Sequence, residues 1–138
     1  MAPSTADTIT VAAAQIRPVL FSLDGSTARV IAAMEEAAAE GVELIVFPET
    51  FLPYYPYFSF VEPPVLMGPS HLRLYEQAVA VDGPHVARIA AAARRLGQHV
   101  LLGINERDGG SLYNTQLLFD ASGSIGVTFY PHDAATPE

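Results

Sequence analysis

Short apolar runs alternate with longer segments of helical spacing along the first part of the chain. Residues 8–16 and 42–47 are rich in Val, Ile and Ala and have the length of buried strands. Between them apolar residues recur every three or four positions, which predicts a helix that stops at Gly41. The candidate capping residues at its start are Asp24, Ser26 and Thr27. This order of elements predicts a βαβ unit with parallel strands.

The pattern of the second part predicts two helices and then an antiparallel hairpin. Helical spacing covers residues 71–81 and 84–96, and Gly97 is placed to end the second helix. Residues 48–69 contain six prolines and an aromatic run, which excludes a regular central element and predicts a long ordered loop or lid. The remaining predicted strands are residues 99–105, 112–120 and 125–130, with turns at 108–110 and 122–123.

Composition restricts the class of protein and the partners. The chain has 138 residues, half of them apolar, which is typical of a single soluble globular domain with a substantial core. A net charge of -8 argues against nucleic acid and anionic membrane as partners, because both require clustered positive charge. We find no signal-peptide pattern and no apolar run of membrane-spanning length, so we expect a cytoplasmic protein.

The run from Val42 to Pro53 delivers one carboxylate, Glu49, to the end of a predicted buried strand. This run belongs to a set of four blocks whose order and spacing are informative together. The blocks are Val11-Ala12-Ala13-Ala14-Gln15, Phe47 to Pro56, Gly103-Ile104-Asn105-Glu106-Arg107 and Leu112-Tyr113-Asn114-Thr115. Over roughly residues 8–126 they resemble the true nitrilase branch of the carbon-nitrogen hydrolase family.

The resemblance implies an α/β fold, the first half of a nitrilase-type αββα sandwich. It would contain a mixed sheet with two or three helices on its outer face. Family members continue the last strand into a basic segment with a catalytic lysine, whereas residues 127–138 contain neither Lys nor Arg. We therefore interpret residues 1–138 as one partial carbon-nitrogen hydrolase domain, family-like over 8–126 and with a divergent tail over 127–138.

The resemblance also implies a chemistry and its residues. The family hydrolyses non-peptide carbon-nitrogen bonds, for example a nitrile to a carboxylic acid and ammonia, with a Glu, a Lys and a Cys in one pocket. Here Glu49 would be the catalytic base, with Tyr54 and Thr50 at the substrate and Thr50 supporting Glu49. An aromatic patch that merely covers a loop is the alternative for Tyr54. Because the sequence contains no lysine and no cysteine, we expect the chain alone to be inactive.

The other polar candidates indicate ordinary structural roles. We expect Glu106-Arg107 to form a surface or interfacial ion pair at a hairpin turn, and Asn114 to cap backbone groups locally. The role of Asn105 stays open. His71, His85, His99 and His132 are isolated in sequence, so we expect no metal and no cofactor, and His85 is predicted in the first turn of a helix. No Gly-x-Ser-x-Gly elbow supports serine catalysis.

Two other functions stay open at this point. One is a non-catalytic pseudoenzyme or interaction module that pairs with an intact nitrilase. The other is an unrelated flavodoxin-like domain that binds a small molecule. Half a sandwich would leave an apolar sheet face and a strand edge uncovered, so we expect a homo-oligomer or association with an intact nitrilase. The substrate implied by resemblance is a small nitrile or amide.

Overall fold

A computed structural model describes residues 8–129. Their five strands form one mixed sheet in the order β1-β2-β3-β4-β5. Strands β1, β2 and β3 run parallel, whereas β3, β4 and β5 form an antiparallel meander. The parallel βαβ unit predicted from the sequence is confirmed. The strands are β1 (Val11–Ala13), β2 (Leu44–Val46), β3 (His99–Asp108), β4 (Ser111–Phe119) and β5 (Ile125–Phe129).

Four helices connect or precede the strands. Helix α1 begins after Ser22, whose side chain accepts a hydrogen bond from the Gly25 amide, so the cap is Ser22 and not one of the three predicted residues. Helix α4 has the predicted bounds and ends at Gly97 in the left-handed conformation. Among the described residues no helix is long and apolar enough to cross a membrane. The helices are α1 (Leu23–Ala39), α2 (Phe58–Val61), α3 (Gly68–Gln77) and α4 (Pro84–Leu96).

One face of the sheet packs against α1 and α4, and this layer forms the core. Helix α1 contributes Val30 and Met34 and helix α4 contributes Ile89, all fully buried. Alternate residues of the central strands meet them, because side chains along a strand point to opposite faces in turn. The buried apolar residues of this sheet face are Ile45, Val100, Leu102, Ile104, Leu117 and Phe119.

The opposite face of the sheet is apolar and only partly covered. Ala13, Val46, Leu101 and Leu118 lie in one row across β1 to β4, and each is half-buried or exposed. Only Ala13 in this row is exposed, so the row agrees in part with the expectation of an open sheet face. Beyond the carboxyl end of β2, the loop that follows this strand pairs with β3 at Ile104. This loop carries the candidate site.

Several predicted boundaries are wrong for identifiable reasons. Strands β1 and β2 are short, since their ladder comprises only three residue pairs. The third helix begins at Gly68, with Pro69 in its first turn, and ends at Gln77. Val79 then pairs with Glu106, which removes residues 79–81 from the predicted helix. The predicted loop over residues 48–69 contains α2 and a short 3-10 helix, Pro64–Leu66. The predicted end at Tyr130 and the tail beyond it lie outside the described residues.

Candidate functional site

A cavity of about 530 Å³ opens beside the end of β2. Glu49 and Tyr54 both line it, so the structure brings these two predicted residues to one place. The rest of the wall is mainly apolar and aromatic, with Arg17 as its cationic member. The other lining residues are Ile16, Pro18, Leu20, Pro48, Phe51, Tyr55 and Tyr57. A concave, apolar wall with a few polar groups is typical of a small-molecule site.

The loop that carries Glu49 lies directly on strand β3 at Gly103. A Cβ atom placed at Gly103 would lie 2.4 Å from the Pro48 carbonyl oxygen, 2.5 Å from the Thr50 nitrogen and 2.7 Å from the Glu49 Cα. Real side chains do not tolerate such distances, so only glycine permits this approach. The glycine in the third block therefore sets the position of the loop that carries Glu49.

Backbone and side-chain hydrogen bonds then hold the loop to β3. The backbone amide of Leu52 donates to the Gly103 carbonyl at 3.1 Å, and the backbone amide of Asn105 donates to the Leu52 carbonyl at 2.7 Å. The buried Asn105 side chain donates to the Tyr54 carbonyl at 3.0 Å. Asn105, for which the sequence alone predicts no role, thus holds the segment that places Tyr54 in the cavity wall.

The Glu49 side chain is exposed to solvent and is held at one oxygen. The Asn114 side-chain amide on β4 donates a hydrogen bond to Glu49 Oε1. The expectation that Asn114 caps nearby backbone groups is wrong, because its partner lies 65 residues away in sequence. Only the β3–β4 register, which places Asn114 opposite Asn105, brings the amide to the loop. Local sequence offered no signal for this contact.

Unlike the exposed Glu49, which it follows in sequence, Thr50 is buried. Its backbone adopts a φ of 45°, an uncommon conformation for a β-branched residue. The Thr50 hydroxyl is buried and has no hydrogen-bond partner among the described residues. The Thr50 side chain therefore makes no hydrogen bond to Glu49, and any support that it gives Glu49 comes through the backbone. Thr50 does not line the cavity either.

Tyr54 lines the cavity while only 3% of its surface is exposed. Its ring packs edge-on against Phe21, with 5.4 Å between ring centroids. Burial raises the pKa of Tyr54 above its ordinary value of 10.0, and the positive charge of Arg73 opposes this shift in part. The phenol is therefore protonated at neutral pH. Its oxygen has no hydrogen-bond partner among the described residues.

Glu106 and Arg107 do not form the surface ion pair expected from their sequence. Strand β3 extends to Asp108, so both residues lie within a strand and not at a turn. Glu106 is 7% exposed and accepts a hydrogen bond from the Thr115 hydroxyl at 2.6 Å. The Arg107 guanidinium instead donates to the Tyr75 carbonyl at 3.3 Å and lies over the Tyr75 ring. A strand predicted to extend to Asp108 would have indicated the burial of Glu106, because side chains along a strand point to opposite faces in turn.

Metal-ligating side chains are not clustered in the part of the chain that the structure describes. His85 lies in the first turn of α4, as predicted, and its Nε2 contacts Asp24 Oδ1 at 2.9 Å. Arg88 contacts the same carboxylate oxygen at 3.1 Å. This group connects α4 to α1 at the surface, away from the cavity that holds Glu49.

Comparisons with known proteins agree with the geometry of the fold. The model of the family described as carbon-nitrogen hydrolase matches residues 10–132. A nitrilase from Paraburkholderia phymatum is 60% identical over 115 residues, covering 83% of this chain and 34% of the relative. An aliphatic nitrilase from Rhodococcus rhodochrous is 43% identical over 120 residues, covering 86% of this chain and 33% of the relative.

Solved structures show the same fold at low sequence identity. An amidase from Nesterenkonia sp. matches with a TM-score of 0.67 and 19% identity, covering 94% of this chain and 44% of the amidase. A carbon-nitrogen hydrolase from Helicobacter pylori G27 matches with a TM-score of 0.69 and 17% identity, covering 94% and 41%. The chain spans about a third of the length of the curated nitrilases. It belongs to the carbon-nitrogen hydrolase family.

Proposed function

We propose that this chain supplies the general base and one pocket wall of a nitrilase-type site that converts a nitrile to a carboxylic acid and ammonia. Glu49 is the base, and Tyr54 shapes the pocket for the substrate. The observation that carries the proposal is the position of Glu49. Glu49 lines a largely apolar cavity, in a chain 60% identical to a nitrilase over 115 residues. Thr50 adjoins the site through the backbone that it shares with Glu49.

The chemistry explains why this chain is not expected to act alone. Hydrolysis of a nitrile in this family begins with attack of a cysteine thiolate on the nitrile carbon, which forms a thioimidate. Water then adds, ammonia leaves, and a second water releases the carboxylic acid. A base must accept and return protons at these steps, which an exposed carboxylate beside the cavity can do. The thiolate and the ammonium group must come from other residues, since the sequence contains neither Cys nor Lys.

Ammonia release tests this proposal. The purified chain should release none from aliphatic or aromatic nitriles. Co-expression with the part of the Paraburkholderia phymatum nitrilase beyond the matched 115 residues should restore release. In that assembly Glu49→Gln should abolish activity, because the amide cannot accept the proton. Release by the chain alone would disprove its inactivity, and activity of the Glu49→Gln assembly would disprove the role of Glu49.

The second candidate function is a non-catalytic interaction module that pairs with an intact nitrilase. The observation that favours it is the partly uncovered apolar row of Ala13, Val46, Leu101 and Leu118 on the sheet. Such a face favours association with a protein partner. Co-purification with an intact nitrilase, without restored activity in the complemented assembly, would favour this candidate over the first.

A homo-oligomer follows from the same exposed face. We expect size-exclusion chromatography with light scattering to give a mass above that of one chain, and a compact, stable monomer would contradict this.

The flavodoxin-like alternative is wrong. Strands β3, β4 and β5 run antiparallel, and the match to the carbon-nitrogen hydrolase family covers most of the chain.

A further inference from the structure

Two asparagines on neighbouring strands contact the loop that carries Glu49. Asn105 on β3 and Asn114 on β4 are direct partners in the register of the sheet, so their side chains lie on the same face. The Asn105 side-chain amide donates to the main chain of the loop, at the Tyr54 carbonyl. The Asn114 amide instead donates to the carboxylate itself, at Glu49 Oε1. The two residues therefore have separable tasks.

We propose that Asn114 is the positioning residue that fixes the Glu49 carboxylate in its working orientation. The proposal rests on the role of Glu49 as base given above. Glu49 is exposed and has three rotatable side-chain bonds, so without an anchor its carboxylate samples several rotamers. Asn114 lies within a regular strand and is half-buried. It therefore provides a rigid donor at a point where the loop provides none.

The hydrogen bond also determines which atoms of each group stay available. An ionised carboxylate can only accept, so the Asn114 NH₂ group must face Glu49. Glu49 Oε1 is thereby occupied. Glu49 Oε2 receives no hydrogen bond from the described residues and is left to accept a proton. A charge-assisted hydrogen bond of this kind is stronger and more directional than one between neutral groups.

The other end of the amide argues against a purely local role for Asn114. Its Oδ1 atom is buried and has no hydrogen-bond partner among the described residues. A buried acceptor without a partner is unfavourable, and an isosteric leucine would avoid that cost. An aspartate would place a second negative charge against Glu49. Asparagine is the side chain of this size that suits the contact with a carboxylate.

The first test requires no activity and uses the full chain with isotope-labelled glutamate. Three-bond NMR couplings of the Glu49 side chain should correspond to one χ1 rotamer in the unaltered protein. In Asn114→Ala they should move towards the average over three rotamers. Gln116→Ala is the matched control, because Gln116 lies two residues along the same strand and face but makes no hydrogen bond with Glu49. It should leave the couplings unchanged.

The second test uses the assembly complemented with the remainder of the Paraburkholderia phymatum nitrilase. Asn114→Ala should lower kcat about ten- to a hundredfold with KM changed less than about twofold, since a misoriented base acts on the transition state and not on binding. Gln116→Ala should retain full activity. A structural role alone would instead lower the amount of folded assembly and leave kcat per folded molecule unchanged.

The two tests separate failure of this inference from failure of the proposed function. Couplings that show rotamer averaging in the unaltered protein, or that do not change in Asn114→Ala, would overturn the positioning role whether or not the assembly is active. Unchanged kcat per folded molecule in an active Asn114→Ala assembly would overturn it as well. An assembly that never releases ammonia would count against the proposed function, and the couplings would still decide whether Asn114 orients Glu49.

Discussion

Replacing Gly103 by alanine should displace the loop that carries Glu49. The added Cβ would lie 2.4 Å from the Pro48 carbonyl oxygen and 2.5 Å from the Thr50 nitrogen. Both are backbone atoms, so no side-chain rotation can relieve the overlap. The φ of Gly103 is not in the left-handed region, so alanine at this position meets a steric conflict with the loop and not an unfavourable conformation of its own backbone.

The expected loss of stability combines three effects. Overpacking against a rigid neighbour costs about 1 to 3 kcal/mol. Moving the loop weakens the hydrogen bonds through which Leu52 and Asn105 join the loop to β3, each worth about 1 kcal/mol. Alanine recovers about 0.4 to 1 kcal/mol, because it restricts the unfolded chain. The net expectation is a loss of about 2 to 4 kcal/mol in the free energy of unfolding.

Urea denaturation followed by circular dichroism measures this loss. With a slope of about 2 kcal/mol/M, the midpoint should fall by roughly 1 to 2 M. Gly110→Ala is the matched control, because a Cβ there meets nothing within 4 Å. It should change stability by no more than about 0.5 kcal/mol. If Gly103→Ala also stays within about 0.5 kcal/mol of the unaltered chain, the close approach of loop and strand is refuted.

Three further substitutions test the core, a buried polar pair and the last hairpin. Met34→Ala removes a fully buried side chain between α1 and the sheet and should cost about 2 to 5 kcal/mol in chemical denaturation, whereas a loss below about 1 kcal/mol would contradict this packing. Thr115→Val preserves shape but removes the donor to the buried Glu106 carboxylate, so a loss of about 1 to 3 kcal/mol is expected, and unchanged stability would show that Glu106 does not depend on it. Hydrogen bonds from the Ser122 hydroxyl, and then from nearby backbone amides, hold the pKa of Asp120 below its ordinary value of 3.8. Its stabilising effect is therefore present above that value and is lost as the pH falls through the lowered pKa. Ser122→Ala should move the pKa of Asp120 back towards 3.8 in an NMR titration, and an unchanged titration would disprove the role of the hydroxyl.

Local patterns were sufficient for much of the fold. Helix α4 was predicted with its correct bounds, because Gly83-Pro84 and Gly97 mark its two ends in the sequence. The parallel strands β1 and β2 and the hairpin of β3 and β4 followed from short apolar runs and turn residues. The sequence also identified Glu49 as a carboxylate at the end of a strand, where the structure places it beside a cavity.

Tertiary structure alone decided which groups meet Glu49. Asn114 lies 65 residues away, and its contact depends on the β3–β4 register, which local patterns do not encode. The burial of Glu106 likewise depends on how far β3 extends and on Thr115, a diagonal neighbour on the same face of β4. The amino-acid sequence by itself determined which elements form, because helical and strand periods are properties of neighbouring residues. The partners of each polar side chain were decided only when the loop folded over Gly103, since that contact joins segments far apart along the chain.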